Sequence, residues 1–236
     1  VTVTVQENPL ATIASYDAQL CHGSTVDFSV TVSNVATTDA WTLVYTLDGT
    51  TETATGTGAG TFSFTTTKTV TSTSDVLALV SITNNTSPDN CNSTLSESKT
   101  ITVDPTTVAG VIGTYAISRD TVVCYGGSGY VKEFTSGTGS IVKWQRRKNG
   151  SSTWVDINST NGTQFFFNLI DTTEFRAVYQ SGVCATDASA SVTATPKALP
   201  YAEITKLVDD SICAGTTGDF EITVDYVDVG SDFTVY

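Results

Sequence analysis

Cysteine is the residue type in this chain whose spacing suggests chemistry. Cys21, Cys124 and Cys213 are each followed two residues later by a glycine (Gly23, Gly126, Gly215) and twenty residues later by an aromatic ring (Trp41, Trp144, Phe233). Thiols in such positions can be oxidised in pairs to disulfides, or can join imidazoles around a zinc ion. The second chemistry lacks ligands, because 236 residues carry five cysteines, one histidine (His22) and no methionine. The sequence therefore predicts no catalytic residue, no metal site and no cofactor, and the chain is read as a non-enzyme.

Cys91 and Cys184 supply a second cysteine after each of the first two spacings. An even pair in each complete repeat reads as Cys21 with Cys91 and Cys124 with Cys184, leaving Cys213 to a partner beyond Tyr236. Each bond would close a loop of about 60 to 70 residues and contribute roughly 4 kcal/mol in the chain-entropy picture. Stable disulfides imply an oxidising, extracellular setting. Cys184 follows "QSGV", a turn between the last two strands, and Cys124 precedes the glycine-rich "YGGSG". The bond is thus expected to pin one end of a domain rather than staple its core.

The elements that hold these cysteines are strands. Period-2 alternation of β-branched and polar residues recurs, as in "FSVTV" (Phe28 to Val32) and "SVTAT" (Ser191 to Thr195), and no window sustains helical spacing. Three alternating segments run into a proline, at Pro9, Pro105 and Pro196. Proline cannot donate to a ladder and fixes its own φ, so it suits the exit from a last strand. The boundaries predict residues 1–8 as the last strand of a preceding repeat, 9–104 and 105–196 as complete domains, and 197–236 as the first part of a third. "LCHGSTVDFSV" and "ICAGTTGDFEI" superpose at an offset of 192 residues, so the repeat unit is a pair of domains. Short strands, turn signals such as Asn149-Gly150, and the order Cys124, Trp144, Cys184 predict tandem immunoglobulin-like β-sandwiches arranged end to end.

Charge narrows the partners. With 24 acidic residues against 11 basic, the net charge is −13. That opposes both nucleic acid and anionic membrane surfaces. No run of about 20 apolar residues is present to span a bilayer, so no membrane contact is expected in this segment.

"CYGGSG", "WQRRKNGSSTWVDI" and "TEFRAVYQSGVCATDASASVTATP" resemble the immunoglobulin-like repeats of giant cell-surface adhesins of Bacteroidetes, especially the SprB-type gliding-motility adhesins. The second repeat carries the likeness most fully; the first and third share its Cys, Gly, Phe and aromatic positions. The resemblance implies a cell-surface filament exported by type IX secretion and moved by the gliding machinery. Its partners would be neighbouring repeats of the same chain, the secretion or gliding machinery elsewhere in the full protein, and a surface polysaccharide or substratum at the distal end. Asp120-Thr121-Val122 and Asp210-Ser211-Ile212 look like the O-glycosylation sequon of exported Bacteroidetes proteins, with Asp171-Thr172-Thr173 a weaker match. Thr121, Ser211 and Thr172 are the candidate glycan acceptors.

Other motifs read as structure. "WQRRKNG" offers three consecutive cations to an anionic polysaccharide, but strand alternation sends Trp144 and Arg146 one way and Arg147 the other, as at an ordinary solvated strand end. Trp154 could stack on a sugar, yet its place beside Val155 and Ile157 favours packing. "VDYVDVGSD" lacks the convergent oxygen spacing of a calcium loop. "GTGAGTF" lacks the lysine and helix of a phosphate loop and reads as a hairpin connection. Two functions follow: the mechanical stalk of an adhesin filament serving surface adhesion and gliding, or a carbohydrate-binding module array of a surface polysaccharide-utilisation protein.

Overall fold

The computed structural model describes residues 7–86, 90–114, 120–207, 211 and 213–225. The opening "VTVTVQ", Asp209, Asp210, Ile212, Asp228 and Phe233, on which several sequence expectations fall, lie outside the described residues. Every regular element described is a strand. Two compact units emerge, the first from residues 1–109, 136–141 and 178–188, the second from residues 110–135, 142–177 and 189–236.

The first nine strands form an immunoglobulin-like sandwich. One sheet is β1 (Leu10–Tyr16), β3 (Thr25–Ser33) and β6 (Gly60–Thr69), in the order β1-β3-β6. The other runs β2 (Gln19–Cys21), β9 (Ser98–Asp104), β7 (Ser74–Asn84), β4 (Ala40–Leu47), β5 (Thr50–Thr57), with β8 (Asn92–Thr94) paired to β7. Alternation decides what is buried: Val26, Phe28, Val30 and Val32 on β3 face Trp41, Leu43, Tyr45 and Leu47 on β4. Trp41 is fully buried, donates its indole N–H to the Gly58 carbonyl at 2.9 Å, and meets Phe62 edge-on at 4.9 Å between centroids. Its cross-strand neighbour is Gly56. Glycine fits because a Cβ there would collide with the indole ring. Tyr45 donates to Glu52 at 3.0 Å, and burial followed by that bond pushes its phenol well above the usual range.

The second nine strands copy this topology: β10 (Val111–Thr114), β12 (Gly127–Thr135) and β15 (Thr163–Leu169) in one sheet, in the order β10-β12-β15. The other sheet runs β11 (Asp120–Cys124), β18 (Val192–Lys197), β16 (Thr173–Gln180), β13 (Ser140–Lys148), β14 (Val155–Ile157), with β17 (Asp187–Ala188) on β16. Trp144, at the position of Trp41, is again fully buried and donates to the Asn161 carbonyl at 2.8 Å. Phe166 and Phe175 stack at 5.3 Å in the same core. Strand β18 runs through Pro196, which faces Val123 across the ladder from β11. Strands β19 (Tyr201–Leu207) and β20 (Phe220–Asp225) form a separate antiparallel pair.

The structure corrects the disulfides. Cys21 is bonded to Cys184, not to Cys91, with Cα atoms 4.9 Å apart and a sequence separation of 163. Cys124 is consequently not bonded to Cys184 either. Register supplies the reason. Cys21 lies opposite Asp104 at the end of β9, level with the start of β7, where Ser74 pairs with Thr102. Cys91 lies beyond the far end of β7, where the Asn84 N–H reaches its carbonyl. The ten steps from Ser74 to Asn84 advance about 33 Å at roughly 3.3 Å per residue. A disulfide tolerates Cα separations of only about 4.4–6.8 Å. The second repeat has the same bar to pairing: Cys124 lies opposite Lys197, while Cys184 follows the opposite end of β16.

Candidate functional site

Two sets of side chains outside the cores invite a functional reading, and each lies within one unit. The first surrounds the disulfide in the first unit. Asp104, the last residue of β9, accepts through Oδ2 from Gln19 Nε2 at 2.8 Å and from the Val183 N–H at 2.9 Å. Thr107 Oγ1 accepts from the Ser181 N–H at 3.0 Å, and Asp187 Oδ2 accepts from the Ala109 N–H at 2.8 Å. Val108 and Thr138 exchange backbone bonds at 2.8 and 3.3 Å. The disulfide therefore sits among backbone donors held by a carboxylate and a hydroxyl from the "DPTTVA" segment. Gly182, at φ 47°, leaves room for Asp104, since a Cβ there would overlap its carboxylate.

These partners escaped the sequence reading. Asp104 stood next to Pro105 and was legible as a strand exit, but which turn it would bind depends on the parallel pairing of β2 with β9. A three-residue strand such as β2 carries almost no periodic signal.

The second set is the outer face of β13, β14 and β16 in the second unit. Strand alternation turns Lys143, Gln145 and Arg147 away from the side that buries Trp144. Arg147 donates through Nε and Nη2 to Glu174 at 3.1 and 2.8 Å. Arg176 donates to Gln145 at 2.7 Å, and Gln145 and Lys143 both donate to Asp156, at 2.7 and 2.8 Å. Those two bonds, Gln145 first, hold the Asp156 carboxyl below the usual range. Burial, and then the Arg147 cation, pull the Arg176 guanidinium below its ordinary value.

Trp154 closes this network. It stands just before β14 rather than within it, because after the Asn149-Gly150 turn residues 151–154 stay outside the ladder. The Arg147 and Arg176 guanidiniums lie 4.5 and 4.2 Å from its ring centroid. Two cations against one indole use the ring as a structural partner. "TEFRAVYQ" held the missed signal: Glu174 and Arg176 are two apart and so share a face.

The remaining expected residues are dispersed. Arg146 is exposed and lines an open groove with Phe167 and Ile170, while Lys148 pairs with Asp171 at 2.9 Å. Thr121 lies within β11, opposite Ala194, with a half-buried side chain. Thr172 is half-buried before β16, and Ser211 is exposed. Cys124 and Cys213 are exposed thiols, and Cys91 is half-buried. The segment 56–62 is the β5–β6 hairpin connection with its flanking residues. Among the described residues, no three His, Cys, Asp or Glu side chains gather as metal ligands.

A family model described as a domain of unknown function, DUF8696, matches residues 113–198, most of the second repeat. No curated protein matches the sequence. Among solved structures, a Ca2+-stabilized adhesin that helps an Antarctic bacterium reach out and bind ice is 17% identical, with a TM-score of 0.49, over 86% of this chain and 54% of the adhesin. The chain therefore spans about half the length of that protein. The fibronectin(III)-like modules of Clostridium thermocellum CbhA are 12% identical at a TM-score of 0.37, over 80% of this chain and 95% of theirs. A two-domain fibronectin type III segment of chicken tenascin is 14% identical at 0.26, over 79% and 97%. At these identities and scores none of the three assigns a role to any residue here.

Proposed function

We propose that these repeats are a load-bearing segment of an extracellular, surface-attached adhesin and carry no enzymatic activity. The observation that carries the reading is the Cys21–Cys184 bond. Tension applied at the two ends of the chain reaches Cys21 after β1 and β2 and leaves from Cys184 ahead of β17 and β18. The covalent path runs through the sulfurs. Residues 22–183, which include both buried tryptophans, are bypassed.

The resemblance to Bacteroidetes gliding adhesins extends this to a filament exported by type IX secretion and driven along the cell, with a polysaccharide or substratum as the distal partner. Ser211, exposed in the third repeat, is the best placed of the three candidate glycan acceptors. The competing reading, a carbohydrate-binding array, draws no support from Trp154, whose ring is engaged by Arg147 and Arg176.

Single-molecule pulling on residues 1–236 through their termini tests the load path. Reduction should add about 550 Å of releasable contour, from a separation of 163 steps at roughly 3.4 Å each. Equal extension of the oxidised and reduced chains would overturn the reading. Surface placement is checked by labelling intact host cells with an antibody to this segment, and labelling that requires permeabilisation would count against it.

A further inference from the structure

We infer that Cys124 forms a second inter-repeat disulfide, bonded to the second cysteine of the repeat that follows it, so that the Cys21–Cys184 bond is one rung of a covalent ladder. This does not depend on the adhesin reading. It rests on the internal copy of a bonded cysteine, not on the exposed thiol alone.

The two positions match in ladder register and in the backbone hydrogen bonds that follow. Cys21 ends β2 in parallel register with Asp104, and Cys124 ends β11 in parallel register with Lys197. The His22 N–H donates to the Asp104 carbonyl at 2.8 Å, and the Tyr125 N–H to the Lys197 carbonyl at 2.7 Å. The Gly23 N–H donates to Val70 O and the Gly126 N–H to Leu169 O, each at 2.8 Å. Both glycines have positive φ, 88° and 74°, as does Gly215 after Cys213, at 90°. The chain thus presents the same cysteine-bearing turn three times, and one of the three is seen bonded.

Topology then chooses the partner class. In each repeat the first cysteine sits level with the end of the last strand, and the second lies beyond the far end of the strand before it, so the two cannot meet. Cys21 satisfies its bonding forward, with the second cysteine of the following repeat. Cys124 occupies the copied position, is exposed, and has no disulfide partner among the described residues. The same offset sends it forward in turn. The bond forms when the two thiols lose two protons and two electrons to an exogenous disulfide donor, which leaves as two thiols.

The test is peptide mapping without reduction on the full-length protein from its host. The expected product joins the Cys124 peptide to a cysteine C-terminal to Tyr236 that follows the third repeat's counterpart of β7, as Cys91 does in the first. Cys124 joined to Cys184 or Cys91, Cys124 recovered as an alkylated thiol, or a full-length sequence with no such downstream cysteine would each overturn the ladder. On residues 1–236 alone, Cys124 and Cys213 should react with iodoacetamide without reduction, whereas Cys21 and Cys184 should not. In that chain Cys124→Ser should retain the Cys21–Cys184 bond and an unchanged Tm. A reshuffled bond in the variant would show that Cys124 belongs to the first rung, and would also overturn the inference.

Discussion

Replacing Cys21 by alanine opens a closed loop of 163 residues. In the chain-entropy description the cross-link removes about 2.1 + 1.5R ln n cal/mol/K from the unfolded ensemble, which for this loop is about 17 cal/mol/K, or about 5 kcal/mol at 25 °C. The folded state loses little else directly, since the Asp104–Val183, Thr107–Ser181 and Asp187–Ala109 bonds do not pass through sulfur. Cys21→Ala, Cys184→Ala and the double variant should therefore all lose about the same 5 kcal/mol, because each destroys the same single bond. Urea unfolding followed by tryptophan fluorescence reads the loss, with Trp41 and Trp144 reporting from separate cores. Reduction of the parent chain should reproduce it, and the urea slope should rise as the unfolded state loses its cross-link and exposes more surface. Cys124→Ala should stay within about 0.5 kcal/mol of the parent, as expected of an exposed side chain. Single-variant costs that differ and add in the double, or a cost under about 1 kcal/mol for either, would rule out one shared cross-link of this strength.

Gly56→Ala should destabilise the first sandwich by about 1–3 kcal/mol, because Trp41 is fully buried and cannot yield to the new Cβ; a rise in the urea midpoint would contradict this. Trp154→Ala should cost about 1–2 kcal/mol through its two lost guanidinium contacts, while retention of the chain on an acidic-glycan affinity gel stays unchanged; a selective loss of retention would favour the carbohydrate-binding function instead. Glu52 is held below the ordinary glutamate value: burial works to raise it, but the Thr67 and Lys68 N–H bonds, with the Thr67 and Tyr45 side-chain bonds, outweigh that effect. A depressed folded pKa gives stability that is present above the unfolded value, about 4.3, and is lost as pH falls through the folded one. Unfolding midpoints measured as the pH is lowered should therefore fall less steeply in Glu52→Gln than in the parent, and parallel profiles would refute the assignment.

Composition and alternation were enough to establish an all-β chain in repeated sandwiches, since burying one face of a strand writes a period of two directly into residue order. Spacing was enough to find the recurrent cysteine turn, because the glycine two residues after each of Cys21, Cys124 and Cys213 has a positive φ that glycine adopts without strain. The partner of each cysteine was not legible. Counting pairs within a repeat assumed that cysteines in one domain are near one another, whereas a strand of eleven residues between them puts Cys21 and Cys91 at opposite ends of a sheet. Likewise Trp154, Arg147 and Arg176 are scattered over 30 positions and become one network only through the pairing of β13 with β14 and β16. Sequence order determines what each strand buries, because that depends on neighbours one and two residues away. Which strand ends and outer faces come together depends on register between segments up to 163 residues apart, and only the folded chain sets it.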